Sequence, residues 1–394
     1  MRAQVLLVAA LAFAAVPAWG EDEFFSPKGS FAVEVSLDNS PEPRLPLYRN
    51  AIVSLAVAGD YAIGGTAADA GLSPYLFAVS LSKRQLTAIF PLDRILTDQR
   101  AVQSGFGRGA QGILYAGTMP GRPGGSGHVI SVRVNGNQLD VSDLGAPVPG
   151  EGIFALTSDP SAGVVYGISH PSGKFFVFHP DSKKTDLYAE TAVGRPALRV
   201  LHDYALEPDD YLCRRLALDR SGRVYGSQPV NKIFRFDPAG KKIELLAQEL
   251  PAVWARRPLG RVDAWALAPD GALYGGNAGD GQLFRIEPAT GKVTNVGKPA
   301  MMPRLKGLAF GHDGRLYGVT GGAPGYSHVF RYDSSDGFVD FGNPRFPMEQ
   351  GNSESIMWRG FQIGSVAASE DGRFIVLGEE EALSQFMAFP ADGQ

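Results

Sequence analysis

Cysteine is nearly absent: Cys213 is the only one in 394 residues. No disulfide can form within the chain, so the fold must be held by its core, and the chain is long enough to bury a large one. The same scarcity leaves Cys213 best read as a small buried apolar residue at a strand start. Runs of like charge are missing as well. Lys and Arg number 37 against 41 Asp and Glu, and with no basic patch a nucleic-acid partner is excluded, because a phosphate-binding surface shows as a basic excess. Beyond the leader, no apolar run approaches the roughly 20 residues that a spanning helix requires. His-Glu-x-x-His and Gly-x-Ser-x-Gly do not occur, which removes the usual zinc-protease and serine-hydrolase signatures. Histidine is scarce at six, so the position of each one carries information.

What is present begins with a leader. Arg2, an apolar run from Val5 to Val16 and Ala18-Trp19-Gly20 form a secretory signal peptide over residues 1–20, too short for a membrane span. The mature chain from Glu21 is therefore expected in a periplasm or outside the cell, with residues 21–30 as a flexible lead.

The body of the chain repeats. VDAWALAPDGALYGGNAGDGQLFRIEPATGKVTNVGK, from Val262 to Lys298, is four strand-length runs broken by Gly, Asp and Pro. The same grammar recurs at Leu305 to Gly342 and at Arg215 to Ala247. A period of roughly 40 to 50 residues built from four short strands is the signature of a β-propeller blade. Earlier units start at Ile52, Val102 and Ile153, and a last one from Ile363 supplies only three strands. Phe31 to Leu37, FAVEVSL, alternates as a strand and has no partner nearby. Placed beside the last three it completes them, so the expected fold is all-β: a seven-bladed propeller of four-stranded antiparallel blades, closed by an N-terminal strand. Residues 21–394 then form a single domain and a monomer, with Tyr115, Tyr166, Tyr225, Tyr274 and Tyr317 in the core between blades.

Three connections outgrow what closure needs: Glu190 to Leu212, Gln248 to Arg261 and Asn343 to Gln362. Long loops on a rigid scaffold are where binding residues gather, and these fall on one face. Aligning the units by their turn glycines puts Arg214, Asp263 and Lys306 at the starts of innermost strands, ringing the axis, with Glu151 and Gln103 close by. His170 ends a second strand, His202 lies in the first long loop, and His128 and His328 begin third strands, all on the same face. The loops add Tyr204, Arg256, Arg257 and Trp358. Arginine forks bind carboxylates and aromatic faces stack on sugars, so the set suits an acidic carbohydrate. The alternative reading of the charges is a structural ring of ion pairs, and of the loop aromatics and arginines a set of pins. No metal or other cofactor is expected, although Asp203, Glu207, Asp209 and Asp210 could together hold a structural calcium ion.

Two propeller signatures are missing, the regular Trp-Asp dipeptide and the Ser-x-Asp-x-Gly-x-Thr-Trp box. GEGIFALTSDPSAGVVYGISHPSGKFFVFHPDSKKTDLY, with the later LCRRLALDRSGRVYGS and GRLYGVTGGAPGYSHVFRYD, resembles the secreted seven-bladed propellers that include ulvan lyases and rhamnosyl-glucuronate lyases. That resemblance implies cleavage beside a uronic acid by β-elimination, with His or Tyr as acid and base and Arg or His on the carboxylate. From position alone, Arg214 is the expected carboxylate clamp with Lys306 as helper, His170 the base, and Tyr204 or His202 the acid. The competing expectation is a propeller that binds a glycan or an exported protein without catalysis.

Overall fold

The computed structural model describes residues 24–35, 51–69, 71–191, 212–322, 326–350, 356–380 and 385–392. The signal peptide and the loop bearing His202, Tyr204 and the acidic cluster lie outside them. Nearly all regular structure here is strand, and no described helix is long and apolar enough to cross a membrane.

Each repeat read from the sequence is a four-stranded antiparallel meander. The innermost strands are Ala51–Ala58, Gln99–Arg108, Gly152–Asp159, Ala217–Leu218, Val262–Leu267, Leu305–Phe310 and Ile363–Ala368, each followed outward by its own second and third strands. The first two meanders are joined by a single pairing between Ala67 and Ala101. In the last unit, Phe31–Glu34 pairs antiparallel with Gln385–Pro390, Phe31 opposite Ala388 and Glu34 opposite Gln385.

Packing explains the recurring Tyr-Gly. Tyr166, Tyr225 and Tyr317 are fully buried and Tyr274 nearly so, while Tyr115 is half-buried. The Tyr317 hydroxyl donates to Asp313, and the Tyr225 hydroxyl donates to Asp219, so these two buried phenols have polar partners. The glycine that follows has a separate cause. Gly64, Gly167, Gly226, Gly275 and Gly318 stand directly opposite Phe77, Phe176, Phe234, Phe284 and Phe330 on the third strand. In each case the phenyl ring lies over the glycine so closely that an added Cβ would sit 2.1–2.5 Å from it. Cys213 is buried as expected, and burial pushes its thiol up to about 11.

Two expectations need correction. Residues 24–30 are not a free lead: Phe25 is buried, its amide bonds the Asn343 carbonyl at 3.0 Å, and its ring stacks on Phe341 at 4.7 Å. The segment from Asn343 to Gln362 is not only a loop, since Arg345–Gln350 and Met357–Arg359 form a hairpin. Its first strand runs parallel to Phe31–Glu34, with Ala32 opposite Met348. The physical reason is alternation in Arg-Phe-Pro-Met-Glu-Gln, which buries Phe346 and Met348 beside Phe389 and Met387.

Gly275→Ala should destabilise the protein by about 1–3 kcal/mol in urea titration, because the Phe284 ring cannot yield in a packed core. Leu187→Ala, at an exposed position on an outer strand, should stay within about 0.5 kcal/mol of wild type.

Candidate axial anion site

The innermost strands converge on a central pocket of about 180 Å³. It is lined by Val53, Gln103, Phe154, Arg214, Arg215, Asp263, Arg304, Lys306, Gly364 and Glu380, drawn from every one of the meanders. The sequence alignment thus placed Arg214, Asp263, Lys306 and Gln103 together. A second cavity of about 190 Å³ continues beneath, sharing Arg215, Asp263 and Lys306 and walled by Leu55, Phe106, Leu156, Trp265, Leu308 and Val366.

Arg215 divides the two cavities. Its guanidinium reaches from the fourth meander to the first, where Nη2 donates to the Val53 carbonyl at 3.2 Å. Gly105, in a bulge of the second meander with φ +81°, leaves it room, since a Cβ there would lie 3.2 Å from Nη1. The Trp265 indole donates to the Arg215 carbonyl at 3.2 Å and fixes the backbone.

Charge in the pocket is unbalanced. Among the described lining residues Arg214, Arg215, Arg304 and Lys306 face only two carboxylates, Asp263 and Glu380. Arg261, just outside, donates through Nε to Asp263 at 2.9 Å. Burial alone would raise the Asp263 carboxyl, but the guanidinium groups of Arg261, Arg214 and Arg215 outweigh it and hold the carboxyl below the ordinary range. Burial also lowers the Arg215 guanidinium, with Asp263 opposing and Arg214 adding to the shift. Burial and then the Arg304 guanidinium push the Lys306 ammonium down to about 8, Arg214 and Arg261 adding and Asp263 opposing. Glu380 touches the Lys306 ammonium and favours its charged form. Glu380 can lean inward because Gly364 has no side chain; a Cβ there would lie 2.4 Å from the carboxylate.

Solved structures with the same architecture include lyases and WD40-repeat proteins. Virginiamycin B lyase from Staphylococcus aureus superposes with a TM-score of 0.60 at 13% identity, covering 91% of this chain and 98% of that one. The fold is a β-propeller. A catalytically inactive histidine-to-alanine variant of that lyase with quinupristin gives 0.59 at 12%, covering 88% and 98%. The WD40 repeats of RRP9 give 0.55 at 13%, covering 87% and 95%. Identities this low carry the fold and nothing of the activity. No protein-family model matches the chain, and no curated protein does.

Other expected site residues are spread over the propeller. His170 is beside the pocket: its ring stacks on Phe154 at 5.5 Å, and the Arg214 guanidinium carbon lies 5.7 Å from the centroid of the Phe154 ring. Glu151 is instead engaged locally, accepting from Lys174 at 3.0 Å and from the Ser172 hydroxyl at 2.6 Å. His128 meets Asp143 at 2.8 Å and His328 meets Asp340 at 3.1 Å, the same pairing in two meanders, where each aspartate also caps a glycine amide. Trp358 donates its indole N–H to Glu379 at 2.9 Å, and Arg257 joins Lys232 on Glu249, so both pin loops. The side chain of Arg256 lies outside the described set.

Sequence reasoning missed Arg215, Arg304 and Glu380. Arg215 and Arg304 were within reach, since they neighbour Arg214 and Lys306. Glu380 was not, because it follows the end of a second strand, Phe374–Glu379, rather than starting a first.

Asp263→Asn should lower stability at pH 7 by about 3–5 kcal/mol, the scale of leaving buried cations without their counter-charge. In the wild type this contribution is complete above the unfolded carboxyl's value, about 3.9, and is lost as pH falls through the lower folded value. The melting-temperature gap between the two proteins should therefore narrow only in acid.

Proposed function

We propose that this chain is an exported, monomeric, single-domain propeller of seven blades, closed by Phe31–Glu34, which binds a uronate unit in its axial pocket and cleaves beside it by β-elimination. Closure is supported by the pairing of Phe31–Glu34 with Gln385–Pro390 and by the Ser365 hydroxyl donating to the Ile52 carbonyl at 3.3 Å, last meander to first. Export rests on the leader sequence alone.

The observation that carries the chemical reading is the excess of fixed positive charge in a small pocket. Four cationic side chains against two carboxylates at the mouth of an axial cavity favour an anion, and planar guanidinium forks favour a carboxylate. A cavity of about 180 Å³ is well below the volumes of about 300–1,000 Å³ that take drug-sized ligands, so it admits one sugar unit. Elimination needs the carboxylate neutralised so that charge developing in the enediolate is stabilised, and Arg214 with Arg215 supplies this, Lys306 assisting. His170, on the Phe154 wall, takes the proton, and Tyr204 or His202 in the neighbouring long loop protonates the leaving oxygen.

Binding without cleavage is the second reading, and one observation favours it: no histidine or tyrosine is among the described residues that line the pocket. A panel of uronate polysaccharides separates the two. Lyase activity predicts rising ultraviolet absorbance from the unsaturated product, and Arg214→Ala and His170→Ala should each lower turnover by about a hundredfold or more. Saturable binding with flat absorbance assigns the second reading, and neither signal for any member overturns both. Removing residues through Glu34 should abolish a single cooperative melt, whereas an unchanged melt defeats the proposed closure.

A further inference from the structure

Lys306 is the only lysine among the described residues lining the axial pocket, and its setting differs from that of a surface ammonium. It stands on the innermost strand Leu305–Phe310 and is only 8% exposed. Arg214, Arg215, Arg261 and Arg304 surround the same space, with Asp263 and Glu380 as the acids. Guanidinium groups do not give up their protons in proteins, so repulsion within this cluster is relieved at the one cation able to become neutral. Lysine amines turn nucleophilic under two conditions, removal from water and proximity to other cations, and both hold here. Gly322 borders the side chain: a Cβ there would lie 3.4 Å from Lys306 Cε and 3.5 Å from Nζ, an ordinary contact.

We infer that Lys306 is an amine nucleophile that condenses with the carbonyl carbon of a small oxo-carboxylate whose carboxylate is held by the neighbouring arginines. The ammonium first passes a proton to the Glu380 carboxylate that touches it. The free amine nitrogen then bonds to the carbonyl carbon, and the carbonyl oxygen takes up the two protons that the nitrogen gives up and leaves as water. What remains is an imine between Nζ and the former carbonyl carbon, with no change of oxidation state. The inference rests on the pocket's charge and on Lys306, not on any glycan activity, so it stands or falls apart from the lyase reading.

Incubation of the full chain with pyruvate and cyanoborohydride traps such an imine as a secondary amine, which peptide mass spectrometry locates. Lys306 should carry the label at about ten times or more the level of an exposed lysine such as Lys242, the preference expected of an activated amine. Labelling should rise as pH passes through about 8, and acetone, which lacks the carboxylate, should label Lys306 far less than pyruvate does. Lys306→Arg keeps the charge and removes the nucleophile, so its label should fall to the surface background; because the site is read directly in wild type, the result does not hinge on how that variant folds. Label spread evenly over exposed lysines, no label at Lys306, or equal labelling by acetone would each overturn the inference.

Discussion

Taking the Arg215 guanidinium out of water and holding it across the middle of the molecule costs several kcal/mol unless partners replace the lost hydration. The Val53 carbonyl, in the first meander, and the nearby Asp263 carboxylate, in the fifth, supply that replacement. Meanders distant in sequence are thereby held in register by one side chain. Room for it depends on a glycine with a left-handed backbone in yet another meander, Gly105. The position of each innermost strand is therefore constrained from inside as well as by the apolar layers between neighbours.

Those layers solve a different problem with a repeated device. A sheet of four short strands cannot bury both faces by itself, and in five of the meanders the phenyl ring of the third strand lies over the glycine of the second, leaving the strands smooth enough to pack against the next meander. The neighbouring tyrosine fills the gap and directs its hydroxyl to an aspartate, as Tyr225 does with Asp219 and Tyr317 with Asp313. The charged side chains Arg214, Asp263 and Lys306 then stand at or beside the innermost strand starts at the axis, where the repeat no longer dictates residue type.

This division also decides what could be read in advance. The meanders were legible because Tyr-Gly and the Asp-Gly turns recur at fixed spacing, and Arg214, Asp263 and Lys306 were legible because they share one position in that repeat. Phe25 and the hairpin from Arg345 to Arg359 were not, since both stand outside the repeat and acquire meaning only by packing on each other and on Phe389. Residue type left Trp358 and Arg257 open between ligand contacts and loop pins, because their partners, Glu379 and Glu249, are visible only in three dimensions. Glu380 escaped because its reach into the pocket depends on the missing side chain of Gly364, a relation no linear pattern contains.

The strand Phe31–Glu34 has on one side Gln385–Pro390 and on the other Arg345–Gln350, both made more than three hundred residues later. During synthesis, domains usually acquire structure from the first residues onward. Here the first strand has to wait: Phe31, Val33 and Val35 have no sheet to join until nearly all of the chain has left the ribosome. The nascent protein thus carries its first strand without either of its sheet neighbours for almost the whole of translation.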